Sequence, residues 1–107
     1  MTEGESDKSQ FDVEEFINAL EEFSPGHDPN KLEDVGMEIR NKIATITSRA
    51  YFWGRKGASE EVINSLKVRG LEKLVELFPN RKDFIKGLVG ENESLQKHIG
   101  LFEEEEN

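Results

Sequence analysis

An apolar stripe with helical spacing extends from residue 32 to residue 53 and is the strongest structural signal in this chain. Its members are Leu32, Val35, Gly36, Ile39, Ile43, Ile46, Ala50 and Trp53. Because an α-helix turns by about 100° per residue, these positions fall within an arc of about 100° on one helix face. Just before the stripe, Asp28 and Pro29 form a start signal, an N-cap residue followed by proline in the first helical position. The pattern predicts one long helix over about residues 29–52, roughly 36 Å in length.

Shorter stripes with the same spacing predict further helices on both sides of the long helix. Asp12 and Glu15 form a capping box at the start of the first helix, and Ser59 opens the third. Glycine and proline separate the helical segments. The predicted helices cover about residues 12–23, 29–52, 60–78, 81–89 and 93–99. This pattern predicts an all-α fold, a compact bundle of four or five helices joined by short connections.

Two features within these helices carry more specific expectations. Gly36 lies on the apolar stripe itself, where a glycine favours the close approach of another helix. Asn80 and Asp83 have the spacing of a capping pair, which would start the fourth helix.

The two ends of the chain differ from the middle in composition. Residues 1–10 contain no apolar side chain after Met1, and residues 103–107 are four glutamates and one asparagine. Both ends are typical of disordered acidic tails, so a single helical domain is expected over residues 11–102. The sequence contains neither a signal-peptide pattern nor an apolar run long enough to span a membrane. We therefore expect a cytoplasmic protein without a membrane partner, or a nuclear one if the source is eukaryotic.

Charge is sorted into three blocks along the sequence. Residues 1–38 carry twelve acidic and two basic side chains, a net charge of −10. Residues 39–90 carry eleven basic and five acidic side chains, a net charge of +6, and residues 91–107 carry one basic and six acidic, a net charge of −5. A cationic middle between anionic ends can fold back on itself, present opposite faces to partners, or both.

One segment near the end of the long helix combines aromatic and basic side chains. Its members are Arg49, Tyr51, Phe52, Trp53, Arg55 and Lys56. In the simplest interpretation, Trp53 and Tyr51 cover one end of the core, while Phe52 is exposed or marks the helix end. Aromatic and arginine side chains also suit the centre of a protein interface. A third interpretation is binding of single-stranded nucleic acid, in which bases stack on the rings and phosphates attract the cations.

Two other charged groups are candidate contacts for a partner. Three cations lie at the start of the predicted fourth helix: Arg81, Lys82 and Lys86. Helix–turn–helix proteins place cations at such a position, although a solvated charged face is the simpler interpretation. Four carboxylates lie outside the apolar stripe of the first helix, Glu14, Glu15, Glu21 and Glu22, and three of them are candidate contacts: Glu14, Glu15 and Glu22. They either keep the protein soluble or present negative charge to a basic partner.

No residue pattern in the sequence supports catalysis, a cofactor or a metal. The chain has no cysteine, which excludes disulfides, thiolate nucleophiles and sulfur-ligated metals. Its two histidines, His27 and His98, lack a second histidine at helical spacing. The sequence also lacks a phosphate-binding glycine loop, a nucleophile elbow and an EF-hand ligand series. We expect no catalytic, cofactor-binding or metal-binding residues, and no enzymatic activity.

These features favour a small helical protein that acts by binding another macromolecule. The first interpretation is a protein–protein adaptor, regulator or inhibitor that uses residues 51–56 and the acidic face of the first helix. An alternative is a nucleic-acid-binding protein that uses the basic segments 49–56 and 81–86. A third is a structural subunit of a homo-oligomer, because a chain with few apolar residues can leave a patch for self-association.

Overall fold

The computed structural model describes residues 11–102, and within that range the chain forms helices and no strand. Helix α1 spans Val13–Ala19, α2 spans Leu32–Arg55, α3 spans Glu60–Leu77 and α4 spans Lys82–Gly90. Two 3₁₀ helices, Pro79–Arg81 and Gln96–Phe102, lie before and after α4. The all-α bundle predicted from the sequence is confirmed. The acidic tails predicted at residues 1–10 and 103–107 lie outside the described residues.

Most of the predicted apolar stripe of α2 forms the centre of the core, but its first member, Leu32, is 68% exposed. Ile39 and Ile46 are fully buried there. Five apolar residues of α3 and α4 pack in the same cluster without exposed surface: Leu66, Leu71, Leu74, Ile85 and Val89. Phe16 of α1 and Phe102 of the last 3₁₀ helix join the cluster as well. Burial of each such side chain stabilises the fold by about 1.5–3 kcal/mol relative to an exposed position.

Helices α2 and α3 are antiparallel and approach each other closely at a glycine. The C-terminal end of α3 and the turn after it, residues 77–81, lie beside Leu32 at the start of α2. A Cβ atom on Gly70 of α3 would lie 2.8 Å from Cδ1 of Ile46, so a larger residue cannot fit without displacement. A Cβ on Gly36 would make only an ordinary contact, 3.9 Å from the ring of Phe84. The close approach expected at Gly36 is therefore found at Gly70.

A separate turn replaces the N-cap predicted at Asp28, and α2 begins at residue 32 rather than 29. The Asp28 carboxylate accepts the Asn30 N–H at 2.9 Å, and the backbone carbonyl of Asp28 accepts the Lys31 N–H at 3.0 Å. The Asp34 carboxylate accepts the N–H of Asp28 at 2.9 Å. Asp28 therefore caps its own turn, and the proline after it lies in that turn.

Two predicted helix starts carry the expected side-chain caps. The Asp12 carboxylate accepts the Glu15 N–H at 3.1 Å at the start of α1. The Ser59 hydroxyl accepts the Val62 N–H at 3.2 Å at the start of α3. Each bond satisfies a backbone donor that has no partner within its helix.

Three other helix ends differ from the prediction. Helix α1 ends at Ala19 rather than near residue 23, because the next backbone N–H groups bond three residues back instead of four. The capping pair predicted at Asn80 and Asp83 is wrong, since α4 follows directly from a 3₁₀ turn and Arg81 occupies its N-cap position without a side-chain bond. The last predicted helix is a 3₁₀ helix that begins after Asn92 has capped the preceding turn.

Candidate interaction site

The C-terminal end of α2 exposes two neighbouring aromatic side chains and buries a third. Tyr51 is 66% exposed and Phe52 is 53% exposed, whereas Trp53 is only 6% exposed. The predictions for Phe52 and Trp53 are confirmed, but Tyr51 does not cover the core as expected. Because positions two apart on a helix differ by about 200° in direction, Tyr51 and Trp53 cannot both face the core.

Trp53 anchors this end of α2 to the segment before α1. Its ring lies 5.4 Å from that of Phe11, centroid to centroid, with the planes tilted by 57°. Such tilted pairs are a favoured geometry for aromatic rings. The backbone carbonyl of Trp53 also accepts the N–H of Ala58 at 3.0 Å, which holds the turn into α3. Trp53 therefore fixes the helix end from which Tyr51 and Phe52 project.

A shallow groove with a volume of about 820 Å³ runs along the outward face of α2. We call it the α2 groove, and its lining residues are Ala44, Thr45, Thr47, Ser48, Arg49, Tyr51 and Phe52. The lining is mainly apolar. The hydroxyls of Thr45 and Thr47 donate to backbone carbonyls of α2 at 2.8 and 3.0 Å, which leaves their methyl groups for contact. The α2 groove is therefore an exposed apolar surface between two aromatic side chains.

Cations around the α2 groove contact aromatic rings and form no ion pair with a described carboxylate. The Arg55 guanidinium lies 5.9 Å from the ring centre of Tyr51 and donates to its hydroxyl at 3.2 Å. Lys56 Nζ lies 5.0 Å from the ring centre of Phe52. Arg49 lies 5.2 Å from the ring centre of Phe16. The sequence contains no Asp or Glu between residues 39 and 59, so this end of α2 is positively charged.

The acidic face of α1 is partly used within the bundle. Glu14 pairs with Arg69 of α3 at 2.5 Å, and just after α1 Glu21 pairs with Lys73 at 2.6 Å. The hydrogen bond that Lys73 donates to Glu21 is the main reason why the pKa of Lys73 is raised. Two of the three carboxylates named from the sequence, at positions 15 and 22, remain exposed without an ion pair to a described residue.

The structure does not bring the second basic segment to the α2 groove. Arg81 lies beside Leu32, at the opposite end of α2 from Tyr51. Helix α2 has 24 residues, which corresponds to about 36 Å. Lys82 and Lys86 are half-buried and already have interactions within the protein. The two segments 49–56 and 81–86 therefore do not form one compact basic surface.

A buried glutamate was missed by the sequence reasoning. Glu38 is 1% exposed, and one of its carboxylate oxygens lies 2.6 Å from Nδ1 of His27 and accepts the Ser24 N–H at 3.0 Å. Its other oxygen lies 3.2 Å from Nζ of Lys42, which also donates to the Glu22 carbonyl at 2.6 Å. We call Glu38, Ser24, His27 and Lys42 the Glu38 clamp. The only signal in the sequence was the i,i+4 spacing of glutamate and lysine beside the apolar stripe.

The Glu38 clamp holds the connection between α1 and α2 against the bundle. Burial raises the pKa of Glu38, but hydrogen bonds from Ser24, His27 and Lys42 outweigh that effect and lower it to about 2. The backbone N–H of Ser24 and the ring of His27 both bond to the Glu38 carboxylate. The arrangement therefore anchors the loop at residues 24–27 to α2.

A second buried group of titratable side chains lies between α3 and the last 3₁₀ helix. Lys67 is 9% exposed and donates to the Ser94 carbonyl at 3.1 Å. His98 Nε2 is buried and has no hydrogen-bond partner among the described residues. Burial lowers the pKa of both groups, and the charge of Lys97 lowers both further. No described carboxylate pairs with this group, in contrast to the Glu38 clamp.

Two kinds of feature are absent from residues 11–102. No helix there is long and apolar enough to cross a lipid bilayer. No three acidic or histidine side chains in the same range are grouped closely enough to hold a metal ion. Comparisons of the chain with protein-family models, with curated proteins and with solved structures find no match.

Proposed function

We propose that this protein is a non-catalytic adaptor, regulator or inhibitor that binds a protein partner through the α2 groove. One observation carries the proposal: Tyr51 and Phe52 are consecutive aromatic residues of α2 and are both more than half exposed. Large aromatic side chains with neighbouring arginines are the residues that contribute most to protein interfaces.

Each of the two aromatic side chains already has a contact within the unbound protein. Arg55 contacts the ring and the hydroxyl of Tyr51, and Lys56 contacts the ring of Phe52. Binding is weakened by the entropy lost when mobile side chains become fixed, about 0.5–1.5 kcal/mol for each. Because these rings already have neighbours on the same helix, part of that loss is avoided.

Charge around the α2 groove favours an acidic partner. Arg49, Arg55 and Lys56 are exposed and form no ion pair with a described carboxylate, so their charges face solvent. Complementary charge raises the rate of association and selects among partners. The acidic face of α1 supports a basic partner less strongly, since two neighbouring glutamates already pair with α3.

The same side chains could stack on single-stranded nucleic acid, but two observations favour a protein. The basic segment that begins at Arg81 starts beside Leu32, 19 residues of helix or about 29 Å from Tyr51 along α2, and Lys82 and Lys86 already have interactions. Self-association is disfavoured as well, because two copies facing each other through the α2 groove would oppose like charges.

Affinity capture with matched variants tests the proposal. Tagged wild-type protein and the double variant Tyr51→Ala/Phe52→Ala are used to capture partners from host lysate, with and without nuclease. Leu32→Ala is the control, since Leu32 is an exposed apolar residue at the other end of the same helix. We expect a protein that the wild type and the control retain and the double variant loses. Equal capture by all three proteins would reject this surface, and a partner that disappears after nuclease treatment would indicate nucleic acid instead.

A further inference from the structure

We infer that the occupant of the α2 groove is an amphipathic α-helix of the partner, with apolar residues on one face and acidic residues beside them. This inference rests on the proposed function, and it specifies the shape and charge of the partner segment. Three properties of the α2 groove support it: its direction along α2, the lack of free backbone groups in it, and its charge.

The α2 groove has the direction and length of a short helix contact. Tyr51 and Phe52 point about 100° apart around α2, and Ser48 and Ala44 lie between them, one and two turns earlier. From Ala44 to Phe52 the α2 groove follows the helix for about 12 Å, or two turns. The small side chains of Ala44 and Ser48 allow a second helix to approach closely. A row of side chains on that second helix would then lie between Tyr51 and Phe52.

The backbone chemistry of the α2 groove excludes strand addition. A peptide that binds by adding a strand needs a sheet edge with free N–H and carbonyl groups. Residues 11–102 form no strand, and the central residues of α2 already use their backbone groups within the helix. The hydroxyls of Thr45 and Thr47 are also occupied by the backbone. A partner helix, whose own backbone is satisfied internally, matches such a surface.

The charge of the α2 groove disfavours a second copy of this chain placed groove to groove. Arg49 lies on one wall, and Arg55 and Lys56 lie at the C-terminal end, with no acidic residue among the lining residues. A second copy laid antiparallel about Ser48 would bring its Arg40 against Lys56. Acidic side chains on the flanks of a partner helix would instead meet these cations and give a complementary contact.

Binding of synthetic peptides to the full chain tests the inference. The probe is a peptide of about 16 residues. Its leucines repeat with the i, i+3, i+4, i+7 spacing of an amphipathic helix, and glutamates occupy most other positions. The matched control peptide has the same composition in scrambled order. We expect isothermal titration calorimetry to give a dissociation constant at least about tenfold lower for the patterned peptide.

A variant that fills the floor of the α2 groove separates shape from charge. Ser48→Trp adds bulk between Tyr51 and Phe52 and leaves every cation in place. We expect it to weaken binding of the patterned peptide by at least about tenfold. Leu32→Trp adds the same side chain at the other end of α2 and is expected to bind like the wild type.

The outcomes distinguish this inference from the proposed function. Equal binding of the two peptides, no binding of either, or unchanged binding by Ser48→Trp overturns the helical occupant. The proposed function survives each of these results if capture of the partner still depends on Tyr51 and Phe52. Tighter binding of an oligothymidylate than of the patterned peptide overturns the inference in favour of nucleic acid, and a concentration-dependent dimer lost in Ser48→Trp overturns it in favour of a second copy.

Discussion

The two halves of α2 use charge in opposite ways. In the first half, Glu38 and Lys42 are buried, and each has a charged or polar partner within 3.2 Å. At the end of the second half, Arg55 and the next residue, Lys56, are exposed and lie over aromatic rings without an ion pair to a described carboxylate. The first pair connects the helix to its own loop, and the second pair is available to another molecule.

The difference between these halves follows from the access of water. A buried ion without a partner costs several kcal/mol, so a charge survives in the interior only where its neighbours satisfy it. An exposed ion is already solvated and requires no partner for the fold to be stable. Charges that the fold does not use are therefore found at the surface, which is where we place the proposed function.

The largest expected change in the free energy of unfolding follows from a substitution in the Glu38 clamp. Glu38→Ala should lower the free energy of unfolding by at least about 3 kcal/mol, because it leaves Lys42 buried without its counter-charge and releases the loop at Ser24 and His27. Urea denaturation at neutral pH measures the loss. Glu72→Ala, which removes an exposed glutamate from α3, is the matched control and should stay within about 0.5 kcal/mol of the wild type. Similar losses in both variants would contradict the clamp.

Acid should weaken the same clamp in a defined range of pH. The pKa of Glu38 is lowered from 4.5 to about 2 in the folded protein, so the unfolded chain takes up a proton first as the pH falls. The stabilising contribution, about 3 kcal/mol, is complete above pH 4.5 and is lost as the pH falls toward 2. Glu38→Gln has no carboxyl to titrate at this position. Its stability should therefore fall less steeply over that range than that of the wild type.

A smaller effect is expected at His98, a half-buried residue whose buried Nε2 atom has no hydrogen-bond partner among the described residues. Burial, Lys97 and Lys67 lower the pKa of His98 below its usual 6.5, so the folded protein binds fewer protons than the unfolded chain. Stability from this site is present above about pH 6.5 and is lost as the pH falls below it. Chemical denaturation measures the free energy of unfolding at about pH 7.5 and about pH 5.5. Between these two values it should fall less for His98→Gln than for the wild type. An equal loss of unfolding free energy in both proteins would mean that protonation of His98 does not affect stability.

The smallest expected effect on stability is at the α2 groove. Tyr51→Ala/Phe52→Ala should change the free energy of unfolding by no more than about 0.5 kcal/mol, because neither side chain belongs to the core. Chemical denaturation measures this value on the same protein that is used for capture. A loss above about 2 kcal/mol would assign the two rings to the fold rather than to a partner.

The periodicity of the sequence predicted the helices and several of their faces, because these features depend on neighbouring residues. The stripe from residue 32 to residue 53 placed Ile39, Ile46 and Trp53 in the core, and the phase of α2 placed Phe52 outside it. The expectation for Tyr51 was wrong because it took the aromatic segment as one unit instead of applying the helical rotation to each position.

Side-chain competition limited the prediction of helix ends. Asp28 has the sequence of an N-cap, but its carboxylate bonds to Asn30 in a turn of its own, and α2 starts later. Asn80 and Asp83 have the spacing of a capping pair, but the 3₁₀ turn before α4 removes the need for one. Several local structures are compatible with such short motifs, and the surrounding chain selects among them.

The sequence alone determined that this chain forms amphipathic helices and that one of them carries a cationic, aromatic end. These properties are local, since the rotation of about 100° per residue assigns each side chain to a face. Only the tertiary structure decided which charges are paired, which glycine meets another helix and how far apart the two basic segments lie. Glu38 is buried because the loop at residues 24–27 folds back over α2, and Arg81 is far from Tyr51 because α3 returns along α2. Both depend on chain reversals that bring distant residues together, and no local spacing encodes them.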